Sequence, residues 1–190
     1  PSAGGLPSAL RSLQKPSDLR WIGWPGDVSR LAPAEQPLLD AELEKLGTVP
    51  IYLSASEVSR YYDRFSNGVP CPLCHYLLDR VRVDAHRDWL VYREVNARFA
   101  AALVEHHRPG DLIWVHDYQL ALVPAFIRAL RPDARIGFFL HIPFPAADVF
   151  RILPWREEVL RGLLGADLVG FHTAAYAEHF QTTIAAVLGV

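Results

Sequence analysis

The sequence has no methionine, two cysteines and no run of like charge among its 190 residues. A translated reading frame begins with Met, so a chain that opens at Pro1 in the loop-like run Pro-Ser-Ala-Gly-Gly is expected to have lost its start or to be an excised piece. Charge is nearly balanced, with 19 Lys and Arg against 21 Asp and Glu. Duplex nucleic acid asks for a clustered basic face, and a sequence pI of about 6.5 offers none, so no nucleic-acid partner is expected. Long hydrophobic runs are missing too. The charge-free stretch Ile136 to Ala147 holds His141 and two prolines and falls far short of the roughly 20 apolar residues of a membrane helix. No basic start followed by an apolar core and a small-residue cleavage site precedes residue 30, which argues against membrane and export and makes the cytoplasm the expected compartment.

What is there has the composition of a folded soluble domain, 51% hydrophobic and 21% charged, at a length that buries a sizeable core. Trp21 to Trp24 and Val49 to Leu53 are short apolar runs bounded by Pro and Gly, which suits strands. From Asp84 to about His107, apolar residues at Leu90, Val91, Val95, Phe99 and Leu103 mark one helix face, and Pro109-Gly110 stops it. Leu112 to Val115 is a continuous apolar run of the kind a strand buried on both faces shows. The pattern continues with helix Tyr118 to Leu130, bent at Pro124, strand Ile136 to Leu140, a helix around Trp155 to Leu164, strand Asp167 to Phe171 and a helix from Thr173 to about Leu188. Thr173 is placed to cap that last helix, and Tyr176, Phe180, Ile184 and Val187 give it a core face. Strands alternating with helices predict an α/β fold with an open, mostly parallel sheet flanked by helices.

The last three strands run into polar residues: Val115 into His116-Asp117-Tyr118, Leu140 into His141-Ile142-Pro143, and Phe171 into His172-Thr173. Ligands of open parallel sheets bind outside the carboxyl ends of the strands, so His116, Asp117, His141 and His172 are expected to converge on one edge. Helix caps and solvated loop residues are the plain alternative for each one alone. No Gly-x-Ser-x-Gly turn follows these strands, so a nucleophilic triad has no support, and the histidine spacing fits no local metal-ligand motif. Gly4-Gly5 suits either an ordinary loop or a turn whose bare amides approach a phosphate. Cys71-Pro-Leu-Cys74-His75 formally matches a haem-attachment pattern, a redox pair or half a zinc site. Zinc would need two more ligands, redox chemistry a thioredoxin-type setting and covalent haem an exported chain, which leaves a pair of reduced thiols and no cofactor.

Six strings, in order along the chain, carry a resemblance. They are Trp21-Ile-Gly-Trp-Pro-Gly26, Tyr61-Tyr-Asp-Arg-Phe-Ser-Asn67, Trp114-Val-His-Asp-Tyr118, Gly137-Phe-Phe-Leu-His-Ile-Pro-Phe-Pro145, Leu153-Pro-Trp-Arg-Glu-Glu158 and Gly165-Ala-Asp-Leu-Val-Gly-Phe-His-Thr173. Together they resemble the trehalose-6-phosphate synthase family. The resemblance implies a metal-independent retaining glycosyltransferase of the GT-B type, with two facing Rossmann-like domains, which joins glucose from UDP-glucose to glucose 6-phosphate in trehalose biosynthesis. It implies that residues 1–190 form the amino-terminal, acceptor-side Rossmann-like domain, one half of that architecture. The first strand and the carboxy-terminal donor-nucleotide domain would then lie outside this chain, leaving it unable to transfer glucose alone. A homo-oligomer is compatible with the same reading.

The resemblance also implies roles for individual residues. Gly4 and Gly5 match the glycine pair whose amides approach the donor diphosphate, and Tyr62 matches a tyrosine that contacts glucose 6-phosphate. Asp117 matches the aspartate that hydrogen-bonds the acceptor sugar, and His141 the histidine beside the donor glucose, which makes this pair the catalytic candidates. Ile142 and Cys71 fall on positions tied to anomer selectivity. Cys71 departs from the family, whose Val-Leu-Trp-Pro run becomes Val69-Pro70-Cys71-Pro72, so a thiol stands where an indole would wall the acceptor pocket. That departure motivates a different phosphorylated acceptor such as glycerol 3-phosphate, and the expected absence of half the cleft motivates a non-catalytic sugar-phosphate-binding remnant.

Overall fold

The computed structural model describes residues 19–26, 28, 31, 32 and 34–190. It divides into two compact units at the Ser54–Ala55 junction. In the first unit, strand β1 (Trp21–Gly23) pairs in parallel with β2 (Thr48–Pro50), Ile22 opposite Val49, with helix α1 (Gln36–Lys45) between them in sequence. The second strand starts and ends earlier than its apolar run suggests. Ile51 still donates its N–H to the Gly23 carbonyl at 2.8 Å, but the ladder goes no further. Gly47, at φ +68°, makes the left-handed step that ends α1 and turns the chain into β2.

The second unit begins with a short helix, α2 (Ala55–Glu57), that widens into a π-helix over Val58–Ser66. Helices α3 (Pro70–Cys74) and α4 (His86–His106) follow, then β3 (Leu112–His116), a 3-10 turn (Tyr118–Leu120), α5 (Val123–Leu130) and β4 (Arg135–Phe139). After α6 (Ala147–Phe150) and α7 (Arg156–Leu163), β5 (Leu168–Gly170) and α8 (Ala174–Leu188) close the chain. All pairing is parallel in the order β3-β4-β5, with Val115 opposite Phe138 and Phe138 opposite Val169. This is the expected α/β class. Thr173 caps α8 as its position suggests, its hydroxyl accepting from the Tyr176 N–H at 3.2 Å.

Three expectations need correction. The strand β3 buries only Ile113 and Val115, while Leu112 and Trp114 are 62% and 49% exposed, so it is half-buried and its apolar run reflects β propensity as much as burial. Pro124 does not bend a long helix; it lies in the first turn of α5, where no N–H is needed, and the chain before it is a separate 3-10 turn. The buried face of α4 is carried by Asp88, Trp89, Tyr92, Val95, Asn96, Phe99 and Ala100, whereas Leu90 is 48% exposed.

That face explains much of the core. Phe65 of the π-helix stacks among Tyr92, Trp89 and Trp155 at ring separations of 4.5, 5.3 and 5.4 Å. Two polar members of the face, Tyr92 and Asn96, act on the turn after β3. The Tyr92 hydroxyl donates to the Tyr118 carbonyl at 2.6 Å and accepts from the Ala121 N–H at 3.1 Å. The Asn96 amide donates to the Gln119 carbonyl at 3.0 Å, and its oxygen accepts from the Leu122 N–H at 3.1 Å. At the opposite end of the sheet, Arg128 donates to the carbonyls of Gly165, Pro132 and Ala134 and to the Asp167 carboxylate, which also accepts from the Ile136 N–H at 2.7 Å.

Replacing Asn96 with Leu leaves the Leu122 N–H and the Gln119 carbonyl without these partners in the interior, where each unmade bond costs about 1–3 kcal/mol. Chemical denaturation should show a loss of at least about 2 kcal/mol, against a change within about 0.5 kcal/mol for Glu94→Gln on the exposed side of α4.

Candidate functional site

The parallel register brings the strand ends of the second unit together. His116 Nδ1 lies 3.1 Å from His141 Nε2, and the His141 and His172 rings meet edge to face at 5.7 Å. Phe139 lies between the second pair, 4.8 Å from the His141 ring and 5.1 Å from that of His172. Four polar residues singled out by their positions after strands therefore do share one edge. Among the described residues, no group of three or more His, Cys, Asp or Glu is arranged to hold a metal.

Asp117 stands at the centre in an unusual conformation. With φ +71° and ψ +167°, it occupies a region that is almost confined to glycine and costs about 1–3 kcal/mol for other residues. The surroundings enforce it: the Asp117 N–H donates to the Phe139 carbonyl at 2.8 Å, and Oδ1 accepts from the N–H groups of Tyr118 and His141 at 3.0 and 3.2 Å. Burial pushes the carboxyl up from its ordinary value, and the two amides pull against that rise. A carboxylate fixed by one oxygen keeps acceptor capacity on the other, which suits it to hydroxyl groups.

The loop after β4 is pinned from two sides. Ala146 N–H donates to the Tyr76 hydroxyl at 2.9 Å, and His179 Nδ1 lies 3.0 Å from the carbonyl of the buried Phe144. Ile142 is half-buried in this loop directly after His141.

A second group of residues gathers around the Tyr118 hydroxyl, which donates to Asn67 Oδ1 at 2.9 Å. Burial, then the nearby Cys71, Asp117 and Tyr62, raise the Tyr118 phenol well above its ordinary value. Tyr62, Cys71 and Asp117 thus sit around one phenol. Cys71 is half-buried and Cys74 fully buried, its thiol pushed up by desolvation, and both are free thiols. Gly4 and Gly5 lie outside the described residues. Asn67, just beyond the π-helix, and Tyr118, just beyond a strand, both lie within the strings that carry the family resemblance, yet the site roles that resemblance implies include neither.

This layout is that of an open α/β sheet with polar residues gathered outside the carboxyl ends of its parallel strands, the place where such sheets hold ligands. The chain belongs to glycosyltransferase family 20, whose sequence model matches residues 1–190. It is 45% identical over 189 residues to trehalose-6-phosphate synthase of Mycolicibacterium gilvum, covering 99% of this chain and 37% of that protein. It is 42% identical over 190 residues to the UDP-forming alpha,alpha-trehalose-phosphate synthase A of Dictyostelium discoideum, covering 100% of this chain and 25% of that protein. The solved alpha,alpha-trehalose-phosphate synthase (UDP-forming) from Burkholderia xenovorans, in complex with glucose-6-phosphate, matches with a TM-score of 0.80 at 34% identity, over 98% of this chain and 41% of that one. The N-terminal domain of Candida albicans trehalose-6-phosphate phosphatase matches with a TM-score of 0.76 at 32% identity, over 88% of this chain and 36% of that one. The chain spans well under half the length of these relatives. Among its described residues, no helix is long and apolar enough to cross a membrane.

Burial and the neighbouring His141 lower the pKa of His116 to about 4. Below about pH 6.5 the unfolded chain takes up a proton at this position that the folded chain refuses until about pH 4. The contribution of His116 is therefore fully present above pH 6.5, and stability is lost as the pH falls through that window. Denaturation midpoints followed from about pH 7 to 4 should decline, and His116→Asn should make the decline shallower.

Proposed function

We propose that this chain is the acceptor-side half of a UDP-forming α,α-trehalose-phosphate synthase that transfers glucose from UDP-glucose to glucose 6-phosphate. The observation that carries the reading is the strained, half-buried Asp117 carboxylate beside His141, on a chain whose relatives bear that name. The complex of the Burkholderia relative with glucose-6-phosphate supports the choice of acceptor. Asp117 takes hydroxyls of the acceptor sugar and orients the attacking one, and Tyr62 contacts the sugar phosphate. His141 lines the donor glucose, Gly4 and Gly5 offer amides to the donor diphosphate, and Ile142 and Cys71 shape the walls that select the anomer. The acceptor oxygen bonds to the anomeric carbon on the face from which the diphosphate leaves, and its proton passes to the departing phosphate oxygen. Configuration is retained without a protein nucleophile. The chemistry asks for no metal, and positioning together with stabilisation of the leaving diphosphate supplies the rate.

In this reading residues 1–190 form one Rossmann-like domain whose first strand and donor-nucleotide partner domain lie elsewhere in the protein. The place of β3 at the end of the three-stranded sheet, with a partner on one side only among the described residues, supports a further strand at that edge. Two free thiols fit a reducing, cytoplasmic setting.

Two other readings have an observation behind them. The small Cys71 thiol beside Tyr118, in place of an indole, favours an acceptor other than glucose 6-phosphate, such as glycerol 3-phosphate. The match to the N-terminal domain of a phosphatase favours a non-catalytic sugar-phosphate-binding role.

Calorimetric titration with glucose 6-phosphate separates these. Binding should be measurable and should weaken at least about tenfold, or 1.4 kcal/mol, in Asp117→Asn. Tighter binding of glycerol 3-phosphate moves the assignment to the second acceptor. Release of UDP from UDP-glucose by these 190 residues alone contradicts the need for a donor half. Absence of transfer when a donor domain is supplied in trans, with binding intact, selects the non-catalytic role.

A further inference from the structure

Away from the strand ends, the π-helix and the first turn of α4 line an open cleft of about 540 Å³. None of its lining residues belongs to the site described above. The π-helix contributes Ser59, Arg60 and Arg64, and the start of α4 contributes His86, Arg87 and Asp88. Asp88 is 1% exposed and accepts from both π-helix arginines, from Arg60 Nη1 at 3.2 Å and from Arg64 Nε at 2.9 Å.

One arginine would satisfy a buried carboxylate, so the pair leaves one positive charge uncompensated. Both guanidiniums are held in place yet remain reachable, with side-chain exposures of 40% and 45%. Arg87 adds a further charge and has no ion pair among the described residues. Asp84, the other carboxylate lining the cleft, is 82% exposed and lies 3.9 Å from Arg82. Hydroxyl donors come from Ser56 and Ser59. The wall formed by α4 adds the positive end of a 21-residue helix whose N-cap, Ala85, makes no side-chain cap bond.

These features select an anion and narrow its kind. Guanidinium forks match the paired oxygens of phosphate, and arginines already fixed by a buried partner lose little freedom on binding. A cleft of this volume falls in the range of small-molecule sites, roughly 300–1,000 Å³, and exceeds what a lone inorganic ion fills.

We propose that this cleft binds a small organic phosphate through Arg60, Arg64 and Arg87, separately from the strand-end site. The π-helix that carries two of these arginines also carries Tyr62, so occupancy of the cleft touches the element that holds the acceptor-site tyrosine. The binding claim itself does not rest on the transferase reading.

The test is an NMR titration of the 190-residue chain with inorganic phosphate at constant ionic strength, following backbone amides and arginine Nε–H groups. Saturable shifts should centre on His86 to Asp88 and on the three guanidiniums. Arg87→Gln, which has no ion pair to lose, should keep the fold and weaken the apparent affinity at least about tenfold, or 1.4 kcal/mol. Arg60→Lys keeps the charge without the fork and should weaken it to a lesser degree. Arg161→Gln on α7 should leave it unchanged. Shifts reproduced by sodium chloride at matched ionic strength, shifts confined to Asp117 and His141, or an affinity unaltered in a folded Arg87→Gln variant would each overturn the proposal.

Discussion

The turn that follows β3 is held by two buried polar side chains on α4, and the candidate site depends on that hold. Tyr92 and Asn96 each bond one carbonyl and one N–H of the segment from Tyr118 to Leu122, so the chain leaves the sheet as a short 3-10 turn and starts α5 only afterwards. Asp117 is caught between this fixed turn and the β3–β4 ladder. Both ends are determined, and the residue between them takes a backbone conformation it would not choose. The strain at Asp117 is thus a product of packing two residues into α4 that a pattern of apolar spacing would exclude from a helix core.

That explains which parts were legible in the sequence. The alternation of strands and helices, the parallel class and the gathering of His116, Asp117, His141 and His172 followed from strand runs and from where they end. The face of α4 did so only at Val95 and Phe99, because a stripe of apolar residues takes in the exposed Leu90 and passes over the buried polar Asp88 and Asn96. The burial of β3 was overstated for the converse reason: Leu112 and Trp114 are apolar but exposed. Pro124 is expected from the sequence to bend a helix running from Tyr118, but the helix starts only at Val123, which puts the proline in its first turn. Periodicity reports side chains that leave water, and it is silent about polar groups buried to serve the backbone.

At the strand ends, a hydrogen-bonded pair of imidazoles faces a partly desolvated carboxylate. Two charged rings cannot make the His116–His141 contact, so at least one ring stays neutral and able to accept as well as donate. Such a surface offers directed hydrogen bonds with little net positive charge, a setting suited to neutral sugar hydroxyls. The arginine-lined cleft at the π-helix has the opposite character, lined only by polar and charged residues and rich in cations. The two regions differ in the chemistry of what they can hold.

The Arg128–Asp167 staple sits at the other end of the same three strands. The Ile136 N–H and then the Arg128 guanidinium hold the Asp167 carboxyl below its ordinary value, so the staple persists until the medium is more acidic than a free carboxylate requires. His116 begins to penalise the folded state at a much milder acidity. The free energy of folding therefore senses acid at the two ends of this sheet over separate ranges, first through His116 and only at lower pH through the Arg128–Asp167 staple.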